Sequence, residues 1–194
     1  HPGYGFLAEN HHFAEICKTY DIKFIGPEPE AIELMGDKVR GRELAKRANI
    51  PLVPGSDGAI SSYEKAVEIA QSIGYPVIVK AAAGGGGRGM RLAHSASELR
   101  DSLEVAKMEA EAAFGNDEIY IEKYIAEPRH IEIQILADEY GKIIHLGERD
   151  CSLQRRNQKL LEESPSIFLD EGLRQQMGEM AVNLAHSADY SSLG

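Results

Sequence analysis

Tyr75-Pro-Val-Ile-Val-Lys80-Ala-Ala-Ala-Gly84-Gly-Gly-Gly-Arg-Gly89-Met90-Arg-Leu-Ala93 runs from a short apolar segment ending in a lysine, through four consecutive glycines, into a second apolar segment. Glycine carries no Cβ, so such a run leaves its backbone N–H groups open to close over an anion. Lys80 and Arg88 place positive charge at either end of the run. A P-loop needs Gly-Lys-Ser/Thr opening a helix, and a dinucleotide fingerprint needs GxGxxG opening a helix. Here a strand pattern follows and no Lys-Ser/Thr pair is present, so both are set aside. The stretch reads as a strand, a flexible flap over nucleotide phosphates, and a second strand; a mobile linker is the alternative.

The flanking sequence supplies the rest of an α/β pattern. Upstream, Ser61-x-x-Glu64 is a capping-box signature for a helix with Ala66, Ala70 and Ile73 on one face, stopped by Gly74 and Pro76. Downstream, Ser95-x-x-Glu98 opens a second helix with Leu99, Leu103, Ala106, Ala110 and Ala113 on one face. Residues 119–125 and 130–136 alternate apolar with polar, as half-buried strands do. Residues 138–141 turn the second of these into 142–146, an expected antiparallel hairpin. Further out, residues 8–20 read as a helix, 22–25 as a short strand, 29–35 and 37–48 as helices, and 170–188 as a final helix bearing Leu173, Met177, Met180 and Leu184. Pro54-Gly-Ser-Asp-Gly58 is turn chemistry marking a domain boundary. Residues 54–125 read βαβ-like with a small antiparallel sheet, a subdomain on a larger α/β body.

The 194 residues carry a formal net charge of −10, with 43% hydrophobic and 27% charged residues and a sequence pI near 5.2. That balance argues against a nucleic-acid polymer held by its phosphates. Basic residues nevertheless cluster at Arg155-Arg156 and Lys159, which suits a small anionic ligand. Cys17 and Cys151 show no metal or redox spacing and read as free thiols of a reducing compartment. The seven histidines show no ligand spacing, so no metal site is expected within the chain. No apolar run reaches the roughly 18–20 residues that span a bilayer. The chain opens on His1-Pro2-Gly3 and stops after a helical pattern, and reads as an internal piece of a longer polypeptide.

Three further segments carry chemistry. Lys80 ends a buried-looking run, and an ammonium there needs a partner; a phosphate is one, and a snorkelling surface lysine is the alternative. Glu122-Lys-Tyr-Ile125 offers a carboxylate and strand-end backbone groups that could read an adenine edge, against a solvated edge strand. Residues 148–159 hold four cations, two acids and three amides, too polar for a core. They read as an anion-binding loop, against a merely solvated one, with Glu162-Glu163 able to neutralise part of the charge. His130, taken singly, is structural more often than functional.

The order of these motifs resembles the biotin carboxylase family of ATP-grasp enzymes. The resemblance rests on His1-Pro-Gly-Tyr-Gly-Phe-Leu-Ala-Glu-Asn10, Phe24-Ile-Gly-Pro27, Met35-Gly-Asp-Lys38, Val53-Pro-Gly-Ser56, residues 80–90, Glu122-Lys-Tyr124, Pro128-Arg-His-Ile-Glu132, Glu148-Arg-Asp-Cys-Ser152 and Gln154-Arg-Arg-Asn-Gln-Lys159. It implies an α/β ATP-grasp architecture: the end of a Rossmann-like domain at 1–26, a helical linker at 27–53, a lid subdomain at 54–125, and the start of the C-terminal subdomain at 126–194. It implies that Lys38 and Lys80 hold ATP phosphates beneath a lid containing Gly86 and Gly87. Glu122, Lys123, Tyr124 and Ile125 then form the adenine strand, and His130, Gln154 and Asn157 contact the nucleotide. Lys159, associated with bicarbonate, and Arg155 in the same loop are the catalytic assignments.

The implied reaction uses ATP, bicarbonate and Mg2+ to form carboxyphosphate, then carboxylates biotin on a carrier protein or domain, as in acetyl-CoA carboxylase. A homodimer in the cytoplasm, plastid or mitochondrial matrix is implied, with no membrane partner. Departures are Asn157 where many relatives carry His, Ser164 where Ala is usual, and residues 188–193 where a glycine-containing turn is normal. The family's magnesium carboxylates and catalytic arginine are expected beyond Gly194, so residues 1–194 alone are expected to hydrolyse no ATP. A carbamoyl phosphate synthetase-like ligase and a non-catalytic nucleotide-binding module are the rivals.

Overall fold

The computed structural model describes residues 1–3, 5–82, 90–155 and 158–193, the side chains of Lys38, Val39, Phe114 and Leu193 excepted. The glycine run and the Arg156-Asn157 pair lie outside the described residues. In chain order the elements are α1 (His11–Thr19), α2 (Pro29–Gly36), α3 (Lys38–Arg47), α4 (Tyr63–Ile73), β1 (Val77–Ala81), β2 (Arg91–Ala93), α5 (Ala96–Phe114), β3 (Ile119–Lys123), β4 (Ile131–Ala137), β5 (Ile143–Arg155), β6 (Gln158–Glu163), α6 (Glu171–Ser187) and β7 (Ser192–Leu193). They fall into two compact units. Unit 1 comprises His1–Pro51, Arg129–Leu153 and Lys159–Gly194; unit 2 comprises Leu52–Pro128 and Gln154–Gln158.

Unit 2 is a three-stranded sheet in the order β2-β1-β3 with α4 and α5 packed against it. Both pairings are antiparallel, with Val77 opposite Ala93 on one side of β1 and Lys123 on the other. Because β2 and β3 both run antiparallel to β1, they are parallel to each other, and α5 joins them as a split βαβ crossover with β1 between, in line with the βαβ-like reading. Val77, Val79, Leu99, Ile119 and Ile121 are completely buried in one apolar cluster with Ala66, Ala70 and Ala106. Each such large side chain contributes about 1.5–3 kcal/mol relative to exposure. The helix signals act largely as expected. Ser95 Oγ accepts from the Glu98 amide, and Glu98 reaches back to the His94 amide. The α4 cap is Ser62, not Ser61; its hydroxyl accepts from the Lys65 amide. Ala113, three residues after the buried Ala110, is exposed.

Unit 1 contains a four-stranded sheet in the order β6-β5-β4-β7. The largest departure from expectation is here. Residues 148–155 are not a loop but the second half of β5, and 158–163 form β6. A polar strand is tolerated because its charges find partners: Arg149 lies opposite Glu132 across the ladder, and Asp150, opposite Ile131, accepts from the Ser152 and Ser166 hydroxyls. Residues 22–25 do not form the expected strand, since a strand needs a ladder partner and none is present among the described residues; Ile22 and Ile25 stay more than half exposed. Helix α6 begins with Asp170 accepting from the Leu173 amide. Its buried positions are Gly178 and Ala185, whereas the expected core residue Leu173 is exposed. Gly178 is where α6 meets β5: a Cβ there would lie 2.4 Å from the His145 imidazole.

Candidate functional site

In unit 2 the alternation of β1 buries Val77, Val79 and Ala81 and leaves Lys80 on the other face. Register places Lys80 opposite Tyr120, and its ammonium reaches the carboxylate of Glu122, one same-face step further along β3. The Lys80 ammonium also lies 6.0 Å from the centre of the Tyr120 ring. The side chains of Lys80 and Glu122 are 28% and 10% exposed, so the pair is largely shielded from water. Lys80 is thus neither solvated nor snorkelling: its charge is held by a carboxylate at the point where the glycine run begins. The solvated-edge alternative for Glu122 is corrected, because β3 is buried along Ile119–Glu122 and carries chain on both edges.

Lys123 points elsewhere. Its ammonium donates to the carbonyls of Gly74 and Tyr75 at 2.9 and 3.0 Å, just past the C-terminal end of α4, where carbonyls are unsatisfied. Tyr124 follows the strand, its amide donating to the Pro76 carbonyl at 3.1 Å, and Ile125 is exposed. Gly86, Gly87, Asn157 and the Lys38 side chain lie outside what the structure describes; the backbone of Lys38 opens α3.

In unit 1 the strands β4, β5 and β6 assemble a charged platform. Arg149 donates through Nε to Glu132 at 2.7 Å and through Nη1 to Gln134 at 2.7 Å, and approaches Glu162 at 3.5 Å. Lys159 donates to the second oxygen of Glu132. Burial opposes ionisation of Glu132, but the hydrogen bonds from Lys159 and Arg149 win and hold its carboxyl below the usual range. The same bond, donated to Glu132, raises Lys159, so this ammonium stays charged. Cys151 is completely buried beside them, and burial, then the Glu132 charge, pushes its thiol up. Glu132, Cys151 and Glu162 bring ligand atoms within 4.8 Å of one another. Arg149 and Lys159 already neutralise those carboxylates, so a divalent cation would meet two cations and a protonated thiol.

The opposite face of β5 is a buried hydrogen-bond network. Arg174 of α6 donates through Nε to both oxygens of Glu148 at 3.0 and 2.9 Å, and the Ser166 amide donates to Glu148 at 3.0 Å. Burial opposes charge on Glu148, yet those donors hold it below the usual range. Ser152 and Ser166 hydroxyls likewise donate to Asp150. His130 is exposed, its backbone tied to β5: its amide donates to the Ser152 hydroxyl and its carbonyl accepts from the Cys151 amide. Gln154 is half-buried and Arg155 exposed at the end of β5. Sequence reasoning singled out Lys159 but missed its partner Glu132 and the Arg149 that shares that carboxylate. Their only signal is that Glu132 and Arg149 stand on two polar-alternating strands whose register a sequence does not show. A cleft of about 640 Å3 elsewhere in unit 1, near Phe24, Ile25 and Glu139, contains none of the candidate residues.

Two family models match the chain: the carbamoyl-phosphate synthase L chain, ATP binding domain, over residues 37–194, and the biotin carboxylase N-terminal domain over residues 1–32. The chain belongs to the biotin carboxylase family. Biotin carboxylase 2, chloroplastic, of Populus trichocarpa is 59% identical over all 194 residues, which cover 37% of that protein. The biotin carboxylase of Nostoc sp. is also 59% identical over the whole chain, covering 43% of its length. Among solved structures, the biotin carboxylase domain dimer of Hydrogenobacter thermophilus 2-oxoglutarate carboxylase, in complex with MgADP, ADP and bicarbonate, matches with a TM-score of 0.91 at 54% identity. That match covers 100% of this chain and 43% of the other. The chain therefore spans about two fifths of the length of these relatives. The structural matches agree with the expected ATP-grasp class of α/β fold.

Proposed function

We propose that this chain is part of an ATP-dependent biotin carboxylase that carboxylates biotin on a carrier protein or domain, with bicarbonate as carbon source, in acetyl-CoA carboxylase or a related carboxylase. The observation that carries the reading is Lys80, a shielded ammonium held by Glu122 at the head of the glycine run, in a chain matched end to end by biotin carboxylases.

In this reading Lys38, Lys80, Gly86 and Gly87 bind the phosphates. Glu122, Lys123, Tyr124 and Ile125 bind the adenine, with Lys123 contributing through its backbone because its ammonium is engaged by Gly74 and Tyr75. His130, Gln154 and Asn157 contact the nucleotide, and Lys159 and Arg155 serve bicarbonate. A bicarbonate oxygen attacks the γ-phosphorus of ATP, the bond to the β-phosphate oxygen breaks, and ADP leaves with that electron pair. Biotin N1 then bonds to the carboxyl carbon, the carbon–oxygen bond to phosphate breaks, and the leaving phosphate takes the N1 proton. Cations such as Lys80 and Lys159 stabilise charge in the transferring groups, and a closed lid keeps water from the carboxyphosphate. Mg2+, bound with the nucleotide, neutralises phosphate charge; no residue of 1–194 is assigned to it. We assign the lid to residues 54–125 and the location to the cytoplasm or plastid, in line with chloroplastic and bacterial relatives.

The test is ADP release by the full polypeptide. Release that requires bicarbonate and rises with free biotin is expected. Release that requires glutamine or ammonia and ignores biotin would replace this reading with that of a carbamoyl phosphate synthetase-like ligase.

A further inference from the structure

Strand β3 is bordered by β1 on one edge, and on the other by residues 54–60, which belong to no regular strand. Along that second edge the Lys123 amide donates to the Pro54 carbonyl at 2.7 Å, the Ser56 amide to the Ile121 carbonyl at 2.8 Å, and the Ile60 amide to the Ile119 carbonyl at 2.8 Å. Between these bonds the amide of fully buried Ile121 has a side chain as its acceptor: Ser56 Oγ at 3.1 Å. The same hydroxyl donates to the Gly58 carbonyl at 2.9 Å, which orients its lone pairs toward Ile121. Ser56 itself is 3% exposed, so water is a poor substitute. The chain comes this close because position 55 has no side chain: a Cβ on Gly55 would sit 2.4 Å from the Ile121 carbonyl oxygen. Gly55 bridges directly to Glu122, the residue that holds Lys80.

We propose that Ser56, brought into place by Gly55, is a positioning residue for nucleotide binding. Its hydroxyl stands in for a missing backbone carbonyl and sets where the end of β3, with Glu122 and Lys123, lies relative to β1 and Lys80. The Val53-Pro-Gly-Ser56 motif is then the outer rail of the nucleotide strand and not simply the turn between domains. This rests on the nucleotide-binding reading above.

The test uses the full polypeptide carrying Ser56→Ala, Ser56→Cys or Ser56→Thr, with Lys80→Ala as the control. Removing one buried acceptor is expected to raise KM for ATP about five- to tenfold in Ser56→Ala while KM for bicarbonate stays within about twofold. Ser56→Thr, which keeps the hydroxyl, is expected to restore KM for ATP. Should Ser56→Ala not fold, the Cys variant decides, since a thiol is a weaker acceptor: a rise of about two- to threefold in KM for ATP alone supports the assignment. Unchanged KM for ATP in the folded Ser56 variants, or equal changes for ATP and bicarbonate, would overturn it. Lys80→Ala separates the two ideas. If it weakens ATP binding and Ser56→Ala does not, only the positioning role fails; if Lys80→Ala has no effect, the nucleotide reading itself fails.

Discussion

The two sheets solve the same problem with different forces. In unit 2 the strands β1 and β3 are cemented by a dry cluster of Val77, Val79, Leu99, Ile119 and Ile121, and one ion pair, Lys80–Glu122, sits on the far face of β1. In unit 1 the strand β5 carries charge on both faces: Arg149 with Glu132 and Glu162 on one, Glu148 and Asp150 with Arg174 and Ser166 on the other. The apolar sheet depends chiefly on volume. The charged sheet depends on protonation and on each carboxylate finding its donors, because a buried carboxylate without a partner is costly. The contrast fits the division of labour proposed above: a well-packed frame for the nucleotide strand, and a polar platform for a small anion.

Truncating the apolar core should have the largest effect. Leu99→Ala is expected to cost about 2–5 kcal/mol, since Leu99 is completely buried and its neighbours cannot collapse fully into the cavity. Urea unfolding followed by residue-resolved amide exchange should place that loss in residues 52–128; a loss spread evenly over both units would erase the contrast. Overfilling the charged unit comes next. Gly178→Ala forces a methyl into the His145 ring and should cost about 1–3 kcal/mol by the same assay, whereas His145→Ala combined with it should recover most of the loss.

Acid should sharpen the comparison. Glu132 and Glu148 titrate below the carboxylate reference of 4.5, so their contribution is complete above that pH and is lost as pH falls through their lowered folded values. Amides of β4, β5 and α6 are therefore expected to lose protection on acidification before those of β1 and β3, and simultaneous loss would contradict the assignment. The smallest effect belongs to an exposed pair in unit 2. Lys65→Ala breaks a contact with Glu68 in which both side chains are more than half exposed, and should change stability by no more than about 0.5 kcal/mol in a thermal melt.

How much was legible beforehand follows the same divide. The helices α4, α5 and α6 could be placed because capping residues and apolar spacing are local, although the α4 cap is Ser62 rather than Ser61 and Leu173 of α6 is exposed. The lysine ahead of the glycine run could be marked as needing a partner, since a strand's alternation predicts which residues share a face. The identity of that partner could not be read, because Glu122 lies 42 positions away and reaches Lys80 through the β1–β3 register. Residues 148–155 resemble a loop because their polarity is high along the chain, whereas the cancelling charges lie across it on β4 and α6. Pro54-Gly-Ser-Asp-Gly58 reads as a turn because nothing local distinguishes a serine that completes a strand edge from one that caps a loop.

By itself, then, the sequence determined the class of the molecule: α/β elements in order, a glycine run with a lysine at its head, and a motif series resembling biotin carboxylases. Those properties are set by neighbours within a few residues, where spacing and caps act. Only the tertiary structure decided that Lys80 answers to Glu122, that Glu132 joins Arg149 to Lys159, and that Ser56 completes the edge of β3. Each of these depends on strand register and on burial, which strengthens a charge or hydrogen bond only once distant segments have excluded water from around it.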